Sequence, residues 1–454
     1  MNPNPQSSMD RRTFLKNSAL AGAGLALAAN RAPAILSGTG ANNNIRIACI
    51  GVGTQGHRLL QAAQRVEGTE IAVICDLYTG NINRAKGLCT NKDVRIVREW
   101  EQVVADPTID AVIVATPDFW HAPMTVAAAK HKKDIYVEKG WCITLAEAKA
   151  MRAAVKENNV VMQLGHHMNS LPELHKALEI YRSGALGKVP LVRGYIDRTN
   201  PHPEWQFYTD YGIQEMPADA TPENIDWKRF IANSPHPDRP FDAERFFTWR
   251  RYWDYGTGIA GDLLTHIWDA VNMVRGMGIP ESAVTQGGRY FWKEDREVPD
   301  MWHVLFDYPK QELAVSFNCS FHNSHVGELI QFLGRDMTME VSSEFCRTYV
   351  AEWRPEGQER VMAGRRLAAE TRKAAQSLGI PPPPTAVAPD YVYRTGELKV
   401  SSHMQNFIDC IRSRERPRCH VDRAFEEAVA LIMSVESYRR ETKVKWDPVK
   451  EDIV

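Results

Sequence analysis

An aspartate and a histidine stand four apart at Asp262 and His266. The stretch from Gly261 to Val274 around them has apolar spacing that predicts a helix, so both side chains are expected on one face. A histidine with an ordinary pKa near 6.5, oriented by a carboxylate, suits removal of a hydroxyl proton. A third candidate is Lys139, which follows the apolar run Asp134 to Val137 and Glu138. An ammonium there would polarise a hydroxyl or lower its pKa electrostatically. Oxidising an alcohol requires removing its proton as hydride leaves, and these three residue types fit that chemistry.

The framework around these residues begins with a short β-branched run, Asn44 to Ile50, leading directly into Gly51-Val52-Gly53-Thr54-Gln55-Gly56. Leu59, Leu60, Ala63 and Val66 then recur at helical spacing, and a second apolar run from Glu70 ends in Asp76. A glycine triplet is common alone, but strand, glycines, helix, strand and terminal acid make a dinucleotide fingerprint. Gly51 permits the tight turn, Gly53 lets backbone approach a pyrophosphate, and Gly56 lets helix and strand pack closely. The helix start at Thr54 and Gln55 offers free N–H groups. Asp76 would accept hydrogen bonds from ribose hydroxyls and repel a 2′-phosphate, which favours NAD over NADP.

Further strands are expected at Asp110 to Ala115, Asp134 to Val137 and Val160 to Leu164, with helices at His121 to Lys130 and Leu145 to Asn158 between them. Ligands of open α/β sheets sit beyond the carboxyl ends of the strands, so Thr116, Pro117, His121, Glu138 and Lys139 are expected at the cofactor crevice. After a helix from Leu174 to Ser183, runs at Pro190 to Ile196, Ala283 to Tyr290, His303 to Tyr308, Glu312 to Asn318 and Glu328 to Leu333 read as strands without regular helices between them. The fold class is therefore α/β. A Rossmann domain spans about 42–166, and an α+β domain with an open, mainly antiparallel sheet spans 167–454, with one face available for substrate or for a subunit of a homo-oligomer. Helices at about 400–440 are expected to pack back on the first domain. Between the first two late strands, aromatic residues from Trp205 to Tyr255 alternate with Arg250, Arg251 and Asp254, a mixture that suits a sugar pocket. The basic stretch Glu359 to Leu378 reads as a helical insertion, followed by prolines from Pro381 to Pro384.

The 454 residues are 44% hydrophobic and 24% charged, which excludes a disordered or coiled-coil chain. Lys plus Arg total 55 against 56 Asp plus Glu, so no broad basic footprint marks nucleic acid or anionic lipid as a partner. Eight scattered cysteines form no C-x-x-C pair, and no metal site is expected. The N-terminus reads Asp10-Arg11-Arg12-Thr13-Phe14-Leu15-Lys16, followed by an uncharged run from Ser18 to Ala29 and Ala-x-Ala at Ala32 to Ala34. That pattern resembles a twin-arginine signal over residues 1–34, too short and too rich in Ala and Gly to span a membrane, and it implies an exported, periplasmic protein. Such a route suits a protein that folds around its cofactor first.

The order GVGTQG, ICD, VATPDFWH, VEKG and GDLLTH resembles the glucose-fructose oxidoreductase, inositol dehydrogenase and MocA family from about Asn44 to Pro448. The resemblance implies that Lys139 touches both nicotinamide ribose and substrate hydroxyl, and that Asp262 and His266 are the acid-base pair. Gly140 replaces the proline usual after that lysine, and His166-His167 replaces the expected polar pair. His166, His167 and Tyr255 are the candidate substrate contacts. The implied reaction is hydride exchange with a secondary hydroxyl of a sugar, glycoside or cyclitol. The alternatives are a redox-neutral glycosidase that oxidises its sugar transiently, and a non-catalytic sugar-binding protein that retains NAD.

Overall fold

The computed structural model describes residues 44–208, 215–381, 388–393 and 396–454. The twin-arginine segment and most of the proline run lie outside the described residues. Six strands, β1 (Ile45–Ile50), β2 (Thr69–Cys75), β3 (Arg95–Val97), β4 (Ala111–Val114), β5 (Asp134–Val137) and β6 (Met162–Leu164), form one parallel sheet in the order β3-β2-β1-β4-β5-β6. Every residue of β4 and β5 is buried, as expected of strands covered by helices on both faces. The order reverses between β1 and β4, where Ile47 pairs with Ala111. Such a switch point opens a crevice beyond the strand ends.

The second sheet contains β7 (Leu191–Asp197), β8 (Ser282–Gly288), β9 (Met301–Tyr308), β10 (Leu313–Ser320), β11 (Glu328–Leu333), β12 (Met337–Val341), β13 (Cys346–Val350), β14 (Tyr391–Val392), β15 (Val444–Asp447) and β16 (Asp452–Ile453). Their order is β14-β13-β12-β11-β7-β10-β9-β8-β15-β16. The pairs are antiparallel except β7 with β10, which run parallel. Strand β9 shows the period-two reading directly: Trp302, Val304, Phe306 and Tyr308 are buried while His303 and Leu305 face outward.

The helix Thr265–Arg275 lies against the inner face of this sheet. A methyl group on Gly194 of β7 would come within 2.2 Å of Ile267 Cγ2, so the bare glycine lets the helix carrying His266 approach that closely. The last long helix, Val421–Arg440, packs on β6, β8 and the helix Leu145–Asn158, which ties the two sheets together. The insertion helix runs from Pro355 to Leu378, four residues earlier than expected, because Pro355 is suited to a helical first turn. All eight cysteines are buried and unpaired.

The helix His403–Ser413 seats Met404, Phe407 and Ile408 among Ile47, Ile71 and Tyr136 of the parallel sheet. Phe407 is wholly buried there. Phe407→Ala should lower the unfolding free energy by about 3–5 kcal/mol, measured by chemical denaturation. A loss below about 1 kcal/mol would mean this helix does not complete the core.

Candidate active site

A cavity of about 530 Å³ opens at the switch point. Gly51, Gly53, Thr54, Gln55, Asp76, Thr116 and Pro117 line one end, and Glu138, Lys139, His167, Asp262 and His266 line the other. Gly51 has φ +81°, and a Cβ there would strike the Ala115 backbone at 2.7 Å. A Cβ on Gly56 would meet the Gly51 carbonyl at 2.1 Å, so both glycines are demanded by the protein's own packing. Gly53 differs, because the nearest atom to its would-be Cβ is Asn81 Nδ2 at 3.7 Å. Among the described residues nothing else fills that space, which a ligand's pyrophosphate would need. The helix Thr54–Ala63 starts with no side-chain cap, leaving its first N–H groups toward the cavity. Asp76 Oδ2 accepts from Val52 N at 2.7 Å and Oδ1 from Tyr78 N at 2.8 Å, which fixes the carboxylate at the tip of β2 with further lone pairs available. These residues fit a dinucleotide.

At the other end, Lys139 Nζ lies 2.5 Å from Asp262 Oδ1 and 3.0 Å from the Asp262 carbonyl oxygen. Arg250 Nε donates to Asp262 Oδ1 at 3.1 Å, and Trp205 Nε1 donates to Oδ2 at 2.7 Å. Burial pushes the Asp262 carboxyl up, but Lys139, Arg250 and Arg198 outweigh it and hold the group well below the usual carboxylate range. His266 moves the other way: burial, then Lys139, His166 and His167, hold its ring well below an ordinary histidine. It is therefore neutral at pH 7. Phe207, Tyr208, Phe230, Phe246, Phe247 and Trp249 wall the same cavity. Lys139 is firmly held despite the glycine that follows it.

Four expectations are corrected. Asp262 does not orient His266, because its oxygens are engaged by Lys139, Arg250 and Trp205. It sits in a wide π-helical turn, Ala260–Leu264, just before the α-helix starts at Thr265. His121 is wholly buried behind the cavity wall, its ring nitrogens 2.8 Å from the Gly140 carbonyl and 2.9 Å from the Thr116 carbonyl. It braces the two strand ends instead of meeting a ligand. Tyr255 is also wholly buried, packed on Phe119 and Phe230 as core. His166 has no exposed surface and sits one layer behind His266, whereas its neighbour His167 does reach the cavity.

Sequence reasoning missed Asp118, Arg198 and Phe207. The Asp118 carboxyl is nested among Gly140, Gly256 and Gly261, where added methyl groups would come within 3.3, 3.2 and 3.1 Å of Oδ2. Burial raises it to about 7, against the pull of Lys139 and Arg250. Its folded pKa thus exceeds an unfolded value of about 3.9. The stability contribution is complete below that value and is lost as pH rises through about 7. Asp118→Asn removes the titration, so the mutant's stability relative to wild type should be more favourable at pH 8 than at pH 5 by about 2 kcal/mol. Equal differences at the two pH values in denaturant titrations would refute this.

Sequence models of one family match most of the chain: its NAD-binding Rossmann fold over residues 45–166, and its C-terminal alpha/beta domain, in two forms, over 173–281 and 236–446. The scyllo-inositol 2-dehydrogenase (NAD(+)) of Bacillus subtilis is 27% identical over 237 residues, 49% of this chain and 67% of that one. The levoglucosan dehydrogenase of Pseudarthrobacter phenanthrenivorans is 29% identical over 201 residues, 42% of this chain and 42% of its own length. The solved structure of a levoglucosan dehydrogenase in complex with NADH and levoglucosan has TM-score 0.62 at 18% identity, covering 88% of this chain and 99% of that one, a likeness of fold. With glycine cradle, switch-point crevice and both domains accounted for, the chain belongs to the Gfo/Idh/MocA family of NAD-binding oxidoreductases.

Proposed function

We propose that this protein exchanges a hydride between NAD and a secondary hydroxyl of a sugar, glycoside or cyclitol. The observation that carries the reading is the convergence of Lys139, Asp262 and His266 on the same cavity as the dinucleotide cradle. Bound NAD would supply the hydride acceptor. Lys139, fixed by Asp262, directs its ammonium at the hydroxyl oxygen and stabilises the alkoxide that develops there. His266, held neutral, is in the form that can accept the hydroxyl proton. The aromatic wall offers flat apolar faces to the ring of the substrate. The relatives named as inositol and levoglucosan dehydrogenases support a polyhydroxylated ring of this class.

The Arg11-Arg12 segment supports export by the twin-arginine route with cofactor already bound. The exposed Val284 and Leu305 on the outer face of the second sheet support assembly of copies through that face. Changing both arginines to lysine should leave the protein in the cytoplasm on fractionation, and unchanged export would exclude that route.

The chemistry is tested by incubating the purified protein with sugars, cyclitols and chromogenic glycosides while following NADH absorbance and aglycone release. NADH or a keto-sugar is expected. Aglycone release without net NADH would replace the reading with a redox-neutral glycosidase, and neither signal across the panel would leave a sugar-binding protein. Lys139→Ala and His266→Ala should each lower turnover by about 10²–10⁴ with NAD binding retained. Near wild-type turnover in both would overturn the assignment.

A further inference from the structure

Behind His266 lies a buried polar cluster that the proposed reaction does not yet use. His166, just after β6, has no exposed surface, and Glu427, in the middle of the helix Val421–Arg440, is 1% exposed. His166 Nε2 lies 2.5 Å from Glu427 Oε2, and His166 Nδ1 lies 3.4 Å from His266 Nδ1. The two atoms are at ion-pair distance though not in hydrogen-bond alignment, and the contact is attractive only when Nε2 carries its proton toward the carboxylate. His166 therefore has Nδ1 as its free position. When Nδ1 holds a lone pair it accepts the Nδ1 proton of His266, and that tautomer leaves the Nε2 lone pair of His266 for the cavity.

We propose that Glu427 and His166 form a proton relay behind His266, in which the substrate's proton enters at His266 and the resulting positive charge comes to rest on His166 beside Glu427. The inference rests on the reading of His266 as proton acceptor. In the step, the substrate O–H bond breaks as a bond forms to His266 Nε2. The Nδ1–H bond of His266 breaks as one forms to His166 Nδ1, and bound NAD would take the carbon's hydrogen with its electron pair. His266 is neutral before and after, with its tautomer reversed. Glu427 and His166 act through His266 and are positioning residues.

The surroundings of the two rings favour this placement of charge. His266 faces the Lys139 ammonium and two further imidazoles, which make it a poor place to keep a cation. His166 faces Glu427 and Arg423 from the last long helix, Asp269 and His266 from the helix Thr265–Arg275, and Glu138 and Lys139 from the end of β5. His167 adjoins it in sequence, Cys419 Sγ lies 4.0 Å from its carbonyl oxygen, and His403 sits on the neighbouring helix. Three carboxylates thus stand against two fixed cations, and Asp269 is already paired with Arg423 at 2.6 Å. One imidazolium on His166 balances the set. Burial alone would lower the His166 ring, yet Glu427 and Asp269 reverse that and raise it.

Glu427→Gln keeps the size and hydrogen-bonding capacity of the side chain and removes its charge, so a merely structural role would survive it. The direct measurement is NMR of the full chain labelled with ¹⁵N-histidine between pH 5 and 9, with His166 and His266 assigned from H166N and H266N. In E427Q the His166 ring should lose its proton at least one pH unit lower than in wild type, and the His266 tautomer should change, with melting temperature and NAD binding unaltered. The relay requires a neutral His166 at the outset, so kcat/KM rises as pH passes through its pKa. In E427Q, with the sugar that the panel identifies, that rise should move to lower pH while kcat falls roughly tenfold or more and KM holds. E427D should restore part of the loss. Should E427Q fold poorly, H166N interrogates the same link from the other ring and should abolish the same pH limb. An unchanged His166 titration in E427Q would overturn the relay. Turnover that survives H266A would overturn the underlying reading instead, and an inactive H266A beside a wild-type E427Q would overturn the relay alone.

Discussion

A single carboxylate organises the reactive end of the cavity. Asp262 collects an ammonium from the end of β5, a guanidinium from Arg250 and an indole N–H from Trp205, three groups far apart in sequence. A buried ion pair repays the loss of water only when its remaining hydrogen-bonding positions are filled, and here both oxygens are used. The contact joins the strand end of the parallel sheet to the π-helical turn that leads into the second sheet's helix. Lys139 is therefore aimed by its partner, and cradle and reactive groups share one registration.

Close approach of backbone sets the rest of the geometry. Gly51 and Gly56 are needed because neighbouring backbone already fills the space of a side chain, and Gly194 because Ile267 does. Gly165 makes room in the same way for Glu138, whose Oε1 accepts from Gln55 Nε2 at 3.1 Å. Bare positions at the start of the first helix and under the His266 helix fix where the two ends of the cavity stand, and polar groups then select what each end can hold.

The parallel sheet was legible in the sequence because its strands are apolar and buried on both faces, and the glycine spacing marked its crevice. Short or half-exposed strands such as β3 and β14 carry too few residues for a period to show. The pairing of β7 with β10 joins segments more than a hundred residues apart, which no local pattern encodes. At the site, the elements carrying Lys139 and His266 bring both to the cavity, but the partners of Asp262 were not legible, since Lys139 and Trp205 come from distant segments that no local spacing encodes. His121 and Tyr255 looked available because residue type says nothing about depth. Glu427 was hidden for the opposite reason: beside Glu426, in a helix otherwise rich in buried apolar residues, it reads as half of an acidic surface pair. The clue that could have exposed it is its place on the face shared with Ala424, Leu431 and Ser434.

Burial of the eight cysteines bears on the environments the fold can tolerate. Desolvation raises every one of these thiols above its ordinary range. Exchange and oxidation proceed through the thiolate, and a thiol kept protonated in the core presents neither the anion nor access to it. In the folded chain, burial and a raised pKa both disfavour disulfide exchange and oxidation at these thiols.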